Sequence, residues 1–161
     1  MADKMMVFAQ AGALVGVAGG IVSLVLSIIG VIPVLQFLLC FLAPLIFVVG
    51  IGLGLFSGIY AVMQGKQFVA TLMDSLTAGA VAGVAYAIVS IIFGLINWFV
   101  TAILQIALTA GFGGDIVGTV IGQLVGGIVG VLVSLLITPI VSIVLAVLGA
   151  AAYAVLVLKV K

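Results

Sequence analysis

Residues 118–130 read GTVIGQLVGGIVG, with Gly118, Gly122, Gly126 and Gly130 at every fourth place of an unbroken apolar run. In water this would be a poor helix, because glycine costs about 1 kcal/mol per site against alanine. A bilayer changes the ranking. A backbone that leaves its own hydrogen bonds there finds no water to replace them, so the solvent itself enforces helix. What glycine then supplies is absence of bulk: one every four residues lays a groove along one helix face, into which a second backbone fits closely. The stretch predicts a membrane helix shaped for close packing.

Composition agrees with that reading along the whole chain. Of 161 residues, 68% are hydrophobic and 4% charged, and the mean hydropathy is +1.75. A soluble domain needs about 25% charged residues. The charges are Lys4, Lys66, Lys159 and Lys161 against Asp3, Asp74 and Asp115, with no histidine. A net charge of +1 offers no field for nucleic acid, and so much apolar surface excludes disorder. The apolar N-terminal stretch, which continues to about Ile32, reads as a retained span rather than a signal peptide.

The same inventory argues against chemistry. Cys40 is a lone thiol in an apolar run and reads as a small buried hydrophobe. Asp74, before SLTAGAVAG, and Asp115, after Gly113 and Gly114, have the setting of helix N-terminal caps rather than of mid-membrane working carboxylates. With no histidine and no acid within a span, no nucleophile–base pair, metal set or phosphate clamp can be assembled. No catalytic residue, cofactor or metal is expected.

A spanning helix needs about 20 apolar residues, and the runs here are longer. Turn-forming residues at Ile32-Pro33, at QGKQ (64–67), from Gly94 to Asn97, at GFGGD (111–115) and at Thr138-Pro139 suggest cuts. They give an all-α polytopic bundle of six spans near 8–31, 35–63, 76–95, 97–111, 116–137 and 139–158, in one integral membrane domain over 1–161. Five spans result if the short fourth one is re-entrant. Six spans place Lys4, Lys66, Lys159, Lys161 and the GFGGD turn on one side, and lysine bias makes that side cytoplasmic. Both termini are then cytoplasmic, in the plasma membrane of a prokaryote.

The chain also repeats itself. AGALVGVAGGIVS (11–23) aligns with AGAVAGVAYAIVS (78–90), and IYAVMQGK (59–66) echoes AYAVLVLK (152–159), as expected of duplicated hairpins near 8–66, 76–113 and 116–161. Small-residue stripes recur at Gly12, Gly16 and Gly20, at Gly50, Gly54 and Gly58, and at Gly79, Gly83 and Ala87, with a milder one at Ala146, Ala150 and Ala154. Stripes in five spans predict tight packing within the chain, with any unused stripe left for self-association.

Asn97, Thr101, Gln105 and Thr109 recur every four residues in NWFVTAILQIALT and form a polar seam. A polar amide cannot face hydrocarbon cheaply. The seam therefore either lines a path for a small neutral molecule or acts as interhelical hydrogen-bond glue. Gln36 and Gln123 are further amides able to meet it, and the Tyr86 hydroxyl needs a partner too. Trp98, Phe99, Tyr60 and Tyr153 suit aromatic belts.

The stretch FGLINWFVTAILQIALTAGFGGD (93–115) resembles the Yip-type multi-span membrane family, in which an apolar helix with an aromatic-polar start ends in a Gly-Gly turn. Here Asp115, Ile116 and Val117 stand where that family carries basic and polar sequence. The resemblance implies a small helical membrane protein with a trafficking, organising or accessory role, and no active-site residue.

The expected function is an accessory or structural subunit without chemistry of its own, packed through small-residue faces against other membrane subunits, copies of itself and lipid. Competing classes are a channel or facilitator for a small neutral solute or lipid, and a pore-forming lytic protein of holin type.

Overall fold

The computed structural model describes residues 2–159, apart from the side chains at 33, 34, 36 and 38–40. The expectations for Gln36, Cys40 and Lys161 fall outside what is described. The elements are α1 (Ala2–Gly30), α2 (Pro33–Gln64), a 3-10 turn (Lys66–Phe68), α3 (Leu72–Gly111) and α4 (Ile116–Tyr153), which runs on as a π turn (Ala154–Leu158). All four α-helices are long and apolar enough to cross a membrane.

Four spans replace the six expected, and the five-span alternative falls with them. The chain breaks at Pro33, after Gln64 and at GFGGD, but passes through Gly94–Asn97 and Thr138-Pro139 without interruption. The physical reason lies in the solvent. A proline inside a helix loses one backbone bond, whereas ending the helix there would orphan about four N–H and four C=O groups. In hydrocarbon the single loss is the smaller penalty. The real breaks carry more than one signal: Gly30 ends α1 and Pro33 opens α2, while Gly113 takes a left-handed φ of 71° and Asp115 caps α4 by accepting from the Gly118 N–H at 3.0 Å. The regions 76–113 and 116–161, expected as hairpins, are each occupied by one helix.

With four helices, Lys4, Lys66 and Lys159 gather at one end of the bundle and the GFGGD turn lies at the other, a correction to the side the six-span topology gave it. At the lysine end Thr71 caps α3. Its side chain accepts from the Asp74 N–H, and the Asp74 carboxylate accepts from the Thr71 N–H. Asp74 is thus the third residue of a capping box rather than the cap itself. Its other oxygen takes a 2.5 Å bond from the Lys4 ammonium, which ties the first turns of α1 and α3 together.

That tie sets a register. Lys4 meets Asp74, Gly12 meets Ala82, and Ser27 accepts from Asn97 at 2.7 Å, so α1 and α3 run parallel at a constant offset of 70. The two copies of the repeat lie on these helices, yet their glycines serve different contacts. Gly12, Gly16 and Gly20 take Ala82, Val89 and Phe93 of α3, whereas Gly79 and Gly83 take Val147 and Ile143 of α4. On the remaining pair, Gly58 of α2 abuts the Ala146 carbonyl and Gly149 of α4 abuts that of Leu55.

Most of this close packing sits in the lysine half, and the Gly20–Phe93 contact marks the floor of the open half. Phe8, Ala11, Ala61, Val62, Ala78, Ala82 and Ala150 form the core there. No described residue of 21–53 or 88–141 is buried. The bundle is shut at one end and open at the other.

Candidate functional site

The open half holds a cleft of about 840 Å³ between α1, α2 and α3. One wall is α2, which presents Leu42, Leu45, Ile46, Val49 and Leu53; the other is the α1–α3 seam, which presents Ser23, Ser27, Tyr86, Ser90, Thr101 and Gln105. Among the described residues no lysine or aspartate lines it. Pockets of this size hold drug-sized ligands, and the mix of an apolar wall with a few polar groups is the usual one.

The four seam residues do not share one surface. Four residues advance a helix by about 40° beyond a full turn, so the row winds around α3. Asn97 faces α1 and donates to Ser27; Thr101 and Gln105 line the cleft; Gln105 also takes a hydrogen bond from Gln123 of α4. Thr109 meets Thr119 of α4 at 3.4 Å. The Thr101 and Thr109 hydroxyls donate back to the Asn97 and Gln105 carbonyls of their own helix at 2.8 Å each. Asn97 retains one flaw: its Oδ1 is buried with no partner among the described residues. A buried amide left half satisfied costs about 1–3 kcal/mol.

The glycines divide with the two halves. Gly12, Gly16, Gly20, Gly54, Gly58, Gly79 and Gly83 each lie against a neighbouring helix, where a methyl group would collide. Gly50, Gly122, Gly126 and Gly130 have open space in front of them, and Gly118 faces only its own cap Asp115. Gly122, Gly126 and Gly130 are exposed and line a second, open cleft of about 410 Å³ that they share with Gly94, Leu95 and Trp98 of α3. The face of α4 that packs against α3, half-buried, is one residue further on, about 100° around the helix. Thr119 meets Thr109, Gln123 meets Gln105, and Gly127 lies under the Trp98 indole, whose N–H donates to the Gln123 carbonyl at 3.2 Å. Trp98 is thus a packing residue, a role that its place beside Asn97 did not suggest. The second glycine of the Gly126-Gly127 pair was the available sequence signal.

Among the described residues no group of three or more acids, cysteines or histidines is placed to hold a metal. Comparison with protein-family models, with curated proteins and with solved structures finds no match to this chain.

Proposed function

We propose that this is a non-catalytic membrane protein that houses an uncharged, mainly apolar molecule in the cleft between α1, α2 and α3. One observation carries the proposal: the bundle is packed shut in its lysine half but holds about 840 Å³ open in the other half. Gly50 and Gly94 line that space and leave room for closer approach. The cleft is open at its side, with Leu42, Leu45 and Val49 of its wall exposed, and bare apolar walls lack the dispersion contacts of a packed interior. A guest restores them. The uncharged lining favours a neutral guest, because a buried unpaired charge would be costly.

The test is native mass spectrometry of protein extracted from its membrane, comparing wild type with Gly50→Phe, which fills the cleft from a position with free space. A bound small molecule that disappears in the variant, with melting unchanged, is the expected result. A wild type without any adduct, or an adduct indifferent to Gly50→Phe, rejects the proposal.

A second reading, an accessory subunit or homo-oligomer packed through α4, is favoured by the exposed glycines Gly122, Gly126 and Gly130, which leave the open α3–α4 cleft free for another helix. Cross-linking in native membranes that is lost in Gly126→Leu would support it; a lone monomer would not. The lysine end, holding both termini, is the cytoplasmic side in this proposal, supported by the clustering of Lys4, Lys66 and Lys159. Duplication of one hairpin into α1–α2 and α3–α4 is supported by the placement of the repeated segments.

A further inference from the structure

Three of the seven serines satisfy themselves. Ser57, Ser75 and Ser134 donate to the Gly54, Leu72 and Val131 carbonyls of their own helices at 2.7, 2.7 and 2.9 Å, the usual behaviour of a hydroxyl on a membrane helix. The cleft serines behave differently. Ser23 makes no hydrogen bond among the described residues, Ser27 accepts one from the Asn97 amide, and Ser90 is hydrogen-bonded to the Tyr86 hydroxyl.

The α1–α3 offset of 70 shows how these groups are arranged. It puts Tyr86 level with Gly16 and Ser90 level with Gly20, below Ser23 and Ser27 on α1. The Tyr86 side chain reaches up to lie 3.8 Å from where a Cβ on Gly19 would stand and bonds Ser90, so the two α3 hydroxyls sit together near the level of Gly19 and Gly20, with Ser23 and then Ser27 above them at about one per helical turn. Facing them is the α2 wall from Leu53 to Leu42, placed at the same height by the approach of Leu53 to Gly19. The ladder is disposed to donate. An incoming N–H on the Ser27 oxygen polarises its O–H and leaves the proton free. Tyr86 and Ser90, one turn apart on α3, can satisfy only one of their two protons by bonding each other.

We infer that the cleft selects a neutral lipid whose polar groups are carbonyl acceptors, the ester carbonyls of a diacylglycerol or the ring carbonyls of a quinone, laid with its carbonyls on the Ser23–Ser27–Ser90–Tyr86 ladder and its hydrocarbon on α2. This deepens the proposed function and rests on it. An anionic phospholipid finds no cation in the lining and is disfavoured.

The experiment measures equilibrium binding to purified protein in nanodiscs. Four probes are used: dioleoylglycerol, a decyl-substituted benzoquinone, an alkane of matching size and an anionic phosphatidylglycerol. Ser23→Ala is the primary variant, since Ser23 has no bond in the fold to lose; Ser27→Ala and Ser27→Thr follow, with Ser134→Ala as the control outside the cleft. The expected result is that at least one carbonyl probe binds about tenfold more tightly than the alkane and the anionic lipid. Ser23→Ala and Ser27→Ala should each weaken it about fivefold, one hydrogen bond's worth, with Ser27→Thr restoring binding and Ser134→Ala without effect. Which carbonyl probe responds identifies the lipid class. Equal binding of alkane and carbonyl probes, or carbonyl binding indifferent to Ser23→Ala, overturns the inference while the proposed function stands. If no neutral probe binds and native extracts carry no adduct, both fall.

Discussion

Substituting Gly58 by alanine places a methyl group where α2 lies against the backbone of α4. A Cβ built on Gly58 would meet the Ala146 carbonyl oxygen, with the carbonyl carbon at 2.6 Å, where ordinary van der Waals contact begins at 3.4 Å. The obstructing atoms are backbone, so no rotamer change can clear them. Clearing the carbon alone requires the helices to part by about 0.8 Å, the difference between those two distances, and the nearer carbonyl oxygen requires more. A gap of 0.5–1 Å already forfeits about a quarter to a half of each contact's dispersion energy, and overpacking of this kind costs about 1–3 kcal/mol. Gly122→Ala supplies the matched control, with the same chemistry on a helix and nothing within 4 Å of the new atom. It should be neutral or gain a few tenths of a kcal/mol from helix propensity. Reversible unfolding in mixed micelles, followed by circular dichroism, measures both. Equal stability of the two variants would refute the argument that the lysine half is held by main-chain approach.

The other predictions follow from single contacts. Gly127→Ala drives a methyl group into the Trp98 indole, a side chain that can move; because Trp98 is the chain's one tryptophan, its emission maximum should shift while the unfolding midpoint changes little. Gln105→Leu and Gln123→Leu should each destabilise by stranding the other amide, and the double variant should cost less than their sum, with a coupling of about 0.6–1.7 kcal/mol in a double-mutant cycle. Thr71→Val removes the cap of α3 and should cost about 1 kcal/mol, read as faster hydrogen exchange over residues 72–75. Asn97→Leu removes the unpartnered Oδ1 along with the bond to Ser27 and should change stability by less than about 1 kcal/mol, whereas Ser27→Ala strands the rest of the amide and should cost about 1–3 kcal/mol in the same unfolding assay.

Much of the architecture could be read from the chain. Hydropathy announced helices in lipid, and the turns at Pro33, QGKQ and GFGGD were visible because each concentrates several breaking or capping residues. Gly94 to Asn97 and Thr138-Pro139 misled because turn rules learned in water assume a solvent ready to take up free backbone groups. The site was legible only in fragments. Thr101 and Gln105 were picked out by their spacing, but the same spacing hid the winding that sends Asn97 to α1 and Thr109 to α4. Ser23, Ser27 and Ser90 stand in apolar helical sequence with nothing beside them in the chain to mark them out.

The sequence by itself determined the solvent, the helical state and the places where helices can approach, since these follow from side-chain volume and polarity summed along the chain. Only the tertiary structure decided which grooves are occupied. Gly58 and Gly126 look alike as glycines in spaced rows, yet one lies under the Ala146 carbonyl and the other meets open space. A glycine removes an obstacle without attracting a particular neighbour, so its partner is chosen by register. In this chain the Lys4–Asp74 and Asn97–Ser27 bonds accompany that register between α1 and α3, at opposite ends of one parallel pair.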